Sequence, residues 1–139
     1  MVKMELLPQP VRYILLTYLS SEDTIKLCNI SPEKDLGYLQ VACQNGKLNI
    51  AKWLQSTFNF TKEEAKSVDN IIFKFICHDG YLDIAKWFHS TFVITDEEAR
   101  SNYNIAFHWA CENKDYHVTR WLDQTFNLRL IPEQRMECL

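Results

Sequence analysis

Residues 42–58 read ACQNGKLNIAKWLQSTF, and the chain returns to this wording twice, as ICHDGYLDIAKWFHSTF at 76–92 and as ACENKDYHVTRWLDQTF at 110–126. The period is 34 residues. Cys43, Cys77 and Cys111 keep that spacing, as do Trp53, Trp87 and Trp121, and Phe58, Phe92 and Phe126. Self-similarity at such a period is typical of a repeat array, in which each unit buries its apolar face against its neighbours.

Each copy contains two predicted helices joined by a tight turn. The first carries an apolar triad at steps i, i+3 and i+4, the pattern of a helix with one buried face. The triads are Leu39, Ala42, Cys43; Phe73, Ile76, Cys77; and Phe107, Ala110, Cys111. Gly46 and Gly80 follow this helix, where a left-handed residue lets the chain reverse without a Cβ penalty. Lys114 holds that position in the third copy, at an expected cost on the order of 1 kcal/mol relative to Gly.

The segments between copies predict a third, short helix. Each contains a Thr-x-x-Glu capping box, at 61–64 and at 95–98, which satisfies two backbone donors at a helix start. Asn70 and Asn104, again one period apart, are expected to cap the first helix of the following copy. After the third copy the repeat decays, and residues 130–139 are expected to cover the last repeat.

Two further short helices are predicted at residues 7–31, ahead of the repeats. Pro8 and Pro10 suit a first helical turn, where a missing N–H is harmless. The apolar stripe of the first helix consists of Val11, Ile14, Leu15, Tyr18 and Leu19. We therefore assign residues 1–35 to a helical hairpin and residues 36–139 to the repeats and their C-terminal cover. The predicted fold is all-α, a solenoid-like stack of about three repeats with a helical N-terminal cap.

The composition restricts the class of protein. Of 139 residues, 47% are hydrophobic and 24% charged, with three Gly and four Pro, as in a globular helical domain. A net charge of -3, with basic residues scattered among acidic ones, offers no footprint for nucleic acid. The longest apolar run, Tyr13–Leu19, is far shorter than the roughly 18 to 20 residues of a membrane span. No signal-peptide pattern follows Met1, and an odd number of cysteines argues against a disulfide framework. We expect an intracellular protein with reduced cysteines.

Cysteine and histidine neighbours raise the question of a chemical site. Cys77 and His78, with His108 and Cys111 further on, could form a zinc site or a Cys–His nucleophile. Against this, each repeated cysteine occupies a small-residue core position, where it behaves as a small buried hydrophobe. No CxxC pair, Gly-rich phosphate loop or nucleophile elbow occurs. We expect no catalytic residues, no metal and no cofactor, and we expect the repeated tryptophans to form a ladder in the core.

The repeat core resembles the ankyrin repeat. That family's A-A-x-x-G-x-x-x-I-V-x-x-L-L run is matched by Ala42-Cys43, Gly46, Ile50-Ala51 and Trp53-Leu54, and by their equivalents one period on. The family's H-x-A is matched by His108-x-Ala110. The resemblance covers residues 36–128 and looks most like the degenerate ankyrin-type repeats of large DNA viruses of amoebae. It implies a stack of helix pairs that binds other proteins, in the host cytoplasm or in the virion.

The same resemblance implies a binding face. In ankyrin-type stacks the residues around and just after the buried pair of the first helix vary and line a groove. The equivalent positions are Gln40, Gln44, Asn45, Lys74, His78, Asp79, His108, Glu112 and Asn113. An ordinary solvated helix face is the alternative explanation of these polar side chains.

The N-terminal hairpin resembles the first part of an F-box, a module that docks on the Skp-type adaptor of cullin ubiquitin ligases. The matching positions are Leu7, Pro8, Val11, Leu15, Leu16, Leu19, Asp23, Ile25, Leu27, Ile30 and Ser31. The resemblance implies adaptor contact through Leu7, Pro8, Leu15, Leu16 and Leu19, with the repeats presenting a substrate. The alternative is a scaffolding repeat protein, for example in a virion, whose hairpin only caps the stack.

Overall fold

The computed structural model describes residues 34–136, which fold into helices and connecting turns. The helices are α1 Leu36–Gln44, α2 Leu48–Phe58, α3 Lys62–Ala65, α4 Ser67–Asp79, α5 Leu82–Phe92, α6 Asp96–Glu112, α7 Tyr116–Thr125 and α8 Pro132–Met136. No strand occurs between residues 34 and 136, so the predicted all-α class is confirmed for this part of the chain. The hairpin predicted at residues 7–31, with its F-box-like positions, lies outside the described residues.

The chain divides into two compact units, Met1–Thr61 and Lys62–Leu139. In the first unit α1 and α2, which form the first copy of the repeat, pack against each other. Their buried apolar side chains are Tyr38, Leu39, Ala42, Cys43, Ile50, Ala51 and Leu54. Asp35 caps α1, because its Oδ1 accepts a hydrogen bond from the backbone N–H of Gly37 at 2.8 Å.

The second unit contains the other two copies. Helix α4 packs against α6, and α5 against α7, so equivalent helices of the two copies are in contact. The ring of Phe73 on α4 lies 6.1 Å from Phe88 of its own copy, and 6.3 and 6.2 Å from Trp121 and Phe126 of the next. Aromatic pairs at such separations add about 0.5–1.5 kcal/mol each to the burial of their surface. These two copies therefore share an apolar core, while the stacking of all three stays a prediction.

The predicted triads are buried, with one exception. The six triad residues of the first two copies are at most 1% exposed, and Phe107 and Ala110 of the third copy are buried as well. Cys111, in contrast, is half-buried and disulfide-bonded, so the expectation that it is a reduced core thiol is wrong. The repeated tryptophans lie at the edge of the core and not inside it. They are Trp53, Trp87 and Trp121, each half-buried.

The left-handed turn predicted after the first helix is present in every copy. Gly46 has a φ of 72° and Gly80 a φ of 78°, and Lys114 adopts 60° at the equivalent position. Gly80 has a second reason to be glycine, because a Cβ there would collide with the carboxyl of Asp115. The turn of the second copy therefore depends both on the backbone conformation and on the close approach of a side chain from the third copy.

The connector before the third copy begins with the predicted capping box. The Oγ1 of Thr95 accepts a hydrogen bond from the N–H of Glu98 at 3.1 Å, and Oε1 of Glu98 accepts one from the N–H of Thr95 at 3.2 Å. Lys66, in the preceding connector, donates to that Oε1 at 3.0 Å and to the carbonyl oxygen of Val93 at 2.9 Å. Burial favours the neutral acid, but the bonds from Lys66 and Thr95 hold the pKa of Glu98 below its ordinary value.

The two asparagines predicted as helix caps have another conformation. Asn70 and Asn104 are each the last of three consecutive left-handed residues, 68–70 and 102–104. An N-cap residue needs an extended backbone so that its side chain can reach the first free N–H groups. Both amide atoms of Asn70, and Oδ1 of Asn104, are buried without a hydrogen-bond partner. The prediction of two asparagine caps is therefore wrong, although the one-period spacing of the two turns is real.

The segment after α7 lies against the third copy. Leu128 and Leu130 are buried. The N–H of Ile131 donates to Oε1 of Gln134 at 3.1 Å, and Nε2 of Gln134 lies 3.2 Å from Nε2 of His108 on α6. These contacts agree with the expected C-terminal cover as far as residue 136.

Val93 ends α5 in a conformation that suits it poorly. It is the C-cap of that helix, with φ 56° and ψ 77°. Asn59 holds the equivalent position after α2, with φ 50° and ψ 57°. A β-branched residue in the left-handed region is an outlier, whereas Asn is one of the few side chains that visit it routinely.

We expect Val93→Asn to raise the free energy of unfolding by about 1 kcal/mol, because it relieves a left-handed penalty of that order. Little packing is lost, since Val93 is 47% exposed. Urea denaturation of the two proteins measures the difference, and Asn59→Val, the reverse exchange at the matched position, should destabilise the chain. A Val93→Asn protein no more stable than the parent would contradict the strain assigned to this residue.

Gln55 and His89, one period apart, close the ends of the second helices in the same way. Oε1 of Gln55 accepts the N–H of Phe60 at 3.1 Å, and Nδ1 of His89 accepts the N–H of Ile94 at 3.2 Å. Desolvation lowers the pKa of His89, and the charge of Asp96 offsets part of this effect. The folded state therefore favours the neutral ring, with its proton on Nε2.

This arrangement predicts a loss of stability in mild acid. A histidine whose folded pKa lies below its unfolded value, near 6.5, contributes stability that is complete above the unfolded pKa and is lost as the pH falls through the folded pKa. His89→Gln keeps a side-chain acceptor, as in Gln55, but cannot be protonated. We expect it to reduce the difference in unfolding free energy between pH 7.5 and pH 5. The same substitution at exposed His117 is the control, and an unchanged difference in His89→Gln would refute the assignment.

Candidate protein-interaction site

The structure brings three residues of the predicted repeat face together where α4 and α6 end. Nδ1 of His78 lies 2.8 Å from Oδ1 of Asp79. Nδ2 of Asn113, in the following copy, donates to the backbone carbonyl of His78 at 2.6 Å. Because a carboxylate only accepts hydrogen bonds, His78 carries a proton on Nδ1 in this geometry.

The aromatic ring of Trp109 packs against this group. Its ring centroid lies 5.7 Å from the His78 ring, at an interplanar angle of 86°, and 5.7 Å from Phe75. All three side chains are half-buried, so one part of each ring packs and the other part meets solvent. We call His78, Asp79, Trp109 and Asn113 the repeat-face cluster. The cluster combines a half-buried aromatic ring with hydrogen-bonding groups, and Trp is one of the residue types enriched in protein-binding hot spots.

The surroundings of the cluster are acidic. Glu112 is exposed and precedes Asn113 in the chain. Asp115 lies close enough to His78 and Asp79 for their charges to shift its pKa. Burial raises its pKa, the charge of His78 lowers it, and the charge of Asp79 raises it again. These acidic side chains would attract basic groups on a partner.

The predicted face of the first copy lies on α1 and at its end. Gln40, Gln44 and Asn45 are half-buried. Nδ2 of Asn45 donates to the carbonyl oxygen of Val41 at 2.8 Å, so this amide closes its own helix.

Lys74 does not face outward, and this part of the predicted face is wrong. The residue is 4% exposed, and its Nζ donates to Oδ2 of Asp69 at 2.8 Å. Nδ2 of Asn102, from the equivalent turn of the next copy, donates to the same oxygen at 2.7 Å. The hydrogen bonds from Lys74 and Asn102 lower the pKa of Asp69. The left-handed turn brings Asp69 back over the helix, where it pairs with Lys74 and makes burial of the ammonium tolerable.

His108 belongs to a different part of the surface. It is half-buried, and its Nε2 is within hydrogen-bond distance of Gln134 on α8. The C-terminal segment therefore occupies one ring nitrogen of a residue that was predicted to meet a partner.

A polar cleft that the sequence interpretation missed lies between the two connectors of the second unit. Its volume is about 280 Å³, and it is lined by Lys66, Asp69, Asn70, Glu97, Glu98 and Ser101. The only signal in the sequence was the one-period spacing of Asn70 and Asn104, which predicted helix caps. We call this feature the connector cleft.

The described residues give little support for a metal site or a nucleophilic cysteine. Within residues 34–136, no group of three or more His, Cys, Asp and Glu side chains is placed to hold a metal ion. Cys43 and Cys77 are free and fully buried, as predicted, and burial raises the pKa of both thiols. A nucleophilic thiolate is therefore disfavoured at Cys77, beside His78.

Comparisons with known proteins provide no relative for this chain. No protein-family model matches it, and neither the curated proteins nor the solved structures contain a match. The search for membrane-spanning helices, made over the described part of the chain, finds none of sufficient length and apolarity.

Native thiol labelling tests the state of the cysteines. We expect Cys43 and Cys77 to react at least about a hundredfold more slowly in the folded protein than in denaturant. A buried neutral thiol reacts only after local unfolding has exposed it. Ser56→Cys, at an exposed position of α2, provides the reactive reference. Fast labelling of Cys77 that His78→Ala abolishes would contradict this prediction and establish a Cys–His pair.

Proposed function

We propose that this protein is a protein–protein interaction module built from three ankyrin-like repeats that stack on one another. The 34-residue period supports the stacking, because equivalent positions recur in every copy. The contacts of α4 with α6 and of α5 with α7 support it too, since they are the contacts that adjacent repeats need.

The repeat-face cluster is the observation that carries the proposal. His78 and Asp79 come from one copy and Trp109 and Asn113 from the next, so the cluster exists only where two copies meet. None of these side chains contributes to the apolar core as Phe73 does. His78, Asp79 and Trp109 are half-buried, and exposed Asn113 is held by its hydrogen bond to His78. A positioned surface loses less side-chain entropy when a partner binds.

Charge determines the kind of partner. Asp79 belongs to the cluster, exposed Glu112 directly precedes its Asn113, and the whole chain carries a net charge of -3. A basic partner surface would pair with the carboxylates and place a cationic side chain near the aromatic ring. Opposite charges also accelerate the encounter, whereas like charges at the contact cost several kcal/mol.

Two biological roles suit such a module. If residues 7–31 act as an F-box, the repeats recruit a substrate to a cullin-type ubiquitin ligase through a Skp-type adaptor. If the hairpin only caps the stack, the protein is a scaffold, for example within a virion. The spacing of Leu7, Pro8, Leu15, Leu16 and Leu19 favours the adaptor role, and those residues lie outside the described part of the chain.

Charge reversals on and off the cluster test the proposal. The bait proteins are the wild type, Asp79→Lys, Glu112→Lys and Asp83→Lys. Asp83 is an exposed acidic residue on α5 that does not belong to the cluster. We expect partners retained by the wild type and by Asp83→Lys to be lost from the other two, with affinities at least about tenfold weaker, a difference of 1.4 kcal/mol. Circular dichroism checks that each variant is folded. Identical partners for all four baits would identify the cluster as an ordinary solvated face.

A binding assay with a purified Skp-type adaptor decides between the two roles. Direct binding of a Skp-type adaptor to the wild type, lost in folded Leu16→Asp and Leu19→Asp variants, supports the ubiquitin-ligase adaptor. Absence of binding by the wild type leaves the scaffold role.

A further inference from the structure

The repeat-face cluster is arranged around the ring of His78. Oδ1 of Asp79 and Nδ2 of Asn113 lie 2.8 and 3.3 Å from Nδ1 of His78, so the two side chains meet at one ring nitrogen. The centroid of the Trp109 ring lies 5.7 Å from the centroid of the same ring. A carboxylate, an amide and an indole ring therefore border one half-buried side chain, in a patch small enough for a single side chain of a partner.

The polar atoms that the cluster leaves for a ligand accept hydrogen bonds. Oδ2 of Asp79 receives no hydrogen bond within residues 34–136 and is not buried, and the whole side chain is 29% exposed. Nδ2 of exposed Asn113 already donates to the carbonyl oxygen of His78, whereas its Oδ1 has no donor in the described part of the chain. A ligand that meets these two oxygens must therefore donate hydrogen bonds.

The charge around the cluster favours a cation. Residues 112–115 contribute the carboxylates of Glu112 and Asp115 and the ammonium of Lys114. Asp115 interacts electrostatically with His78 and Asp79, and its Oδ2 is buried without a hydrogen-bond partner, so water screens this charge poorly. With Asp79, three carboxylates stand against one ammonium, and a cationic donor is attracted to the cluster.

The aromatic ring distinguishes between the two cationic side chains that a protein can present. A guanidinium is planar and weakly hydrated, so it stacks on an aromatic face while the N–H groups at its edge donate to oxygen atoms. An ammonium is compact and strongly hydrated, and it has no face to stack. Trp is the aromatic side chain that attracts cations most strongly, and Phe75, 5.7 Å from Trp109, holds the indole in place. The cluster therefore suits arginine better than lysine.

We propose that the repeat-face cluster binds an arginine side chain of a partner protein, with the guanidinium stacked on Trp109 and bonded to Oδ2 of Asp79 and Oδ1 of Asn113. His78 holds the two acceptor side chains in place. This inference rests on the proposed function as an interaction module and names the side chain by which the module recognises a partner.

Three peptides that differ at one position test the site without knowledge of the partner. Each is Gly-Gly-Xaa-Gly-Gly with blocked ends, where Xaa is arginine, lysine or citrulline, and each is titrated into the full-length, ¹⁵N-labelled protein. The indole N–H signal of Trp109, assigned by its absence from Trp109→Phe, reports binding. We expect saturable shifts with the arginine peptide, and affinities about fivefold lower for lysine and at least about tenfold lower for uncharged citrulline.

The repeat itself supplies graded substitutions of Trp109, because the equivalent residues of the other copies are Phe75 and Val41. Trp109→Phe keeps an aromatic face and should weaken binding of the arginine peptide about threefold. Trp109→Val removes the face, and with it the preference for arginine over lysine. Circular dichroism checks that both variants are folded, and Trp109→Phe, the milder change, keeps the test decisive if Trp109→Val unfolds.

Asp79→Asn and Asp83→Asn form a matched pair. Each removes one negative charge, but Asp83 is an exposed residue of α5 that does not belong to the cluster. We expect Asp79→Asn to weaken binding of the arginine peptide at least about tenfold, because a charge-assisted hydrogen bond is lost, and Asp83→Asn to bind as the wild type does. Equal effects of the two substitutions would mean that only the overall charge matters and would contradict the inference.

Three other results would overturn the inference. They are an absence of saturable shifts with the arginine peptide, equal or tighter binding of the lysine peptide, and wild-type binding by Asp79→Asn. If the peptides fail while the Asp79→Lys and Glu112→Lys baits still lose their partners, the proposed function stands and only the assignment to arginine falls. If all four baits retain the same partners, the proposed function falls whatever the peptides do.

Discussion

The burial of Phe73 between two copies of the repeat is the interaction on which the second unit depends. Its ring contacts Phe88 of its own copy and Trp121 and Phe126 of the next. A buried phenylalanine is worth on the order of 3–5 kcal/mol relative to alanine, a large share of a domain's total stability of about 5–15 kcal/mol. The same contact holds α4 against the third copy, and this register puts His78 beside Trp109 and Asn113. The surface cluster is thus a consequence of the core.

The apolar period was enough to predict the helix pairs and their turns. A triad such as Phe73, Ile76 and Cys77 can lie on one face only if the segment is helical, and Gly80 allows one turn conformation that other residues resist. The left-handed turns at residues 68–70 and 102–104, which interrupt α4 and α6, were not predictable in this way. Asparagine is favoured both as an N-cap and as a left-handed residue, so Asn70 and Asn104 fit two backbones equally well. Contacts distant in the chain decide between them.

The candidate site was predictable to a similar degree. His78, Asp79 and Asn113 meet because the period places them at equivalent helix ends. Lys74 was assigned to the surface because its position is equivalent to one that lines the groove of ankyrin-type stacks. A lysine is buried only where it is paired. Its partner Asp69 reaches it only through the left-handed turn, and Asn102 completes the arrangement from the next copy. A sequence pattern on one helix contains no information about such a contact.

The strained residues of this protein differ in what they leave unpaired. Val93 and Lys114 adopt left-handed backbones at exposed positions, where the cost is conformational and no polar group of the side chain is removed from water. Asn70 combines the same conformation with two buried polar atoms that lack partners, a cost that better local geometry would not remove. Those atoms have almost no accessible surface, so only a rearrangement of the turn itself could bring them a partner. The cost at Asn70 is therefore built into the packing of the turn, whereas at Val93 a change of one exposed side chain can remove it.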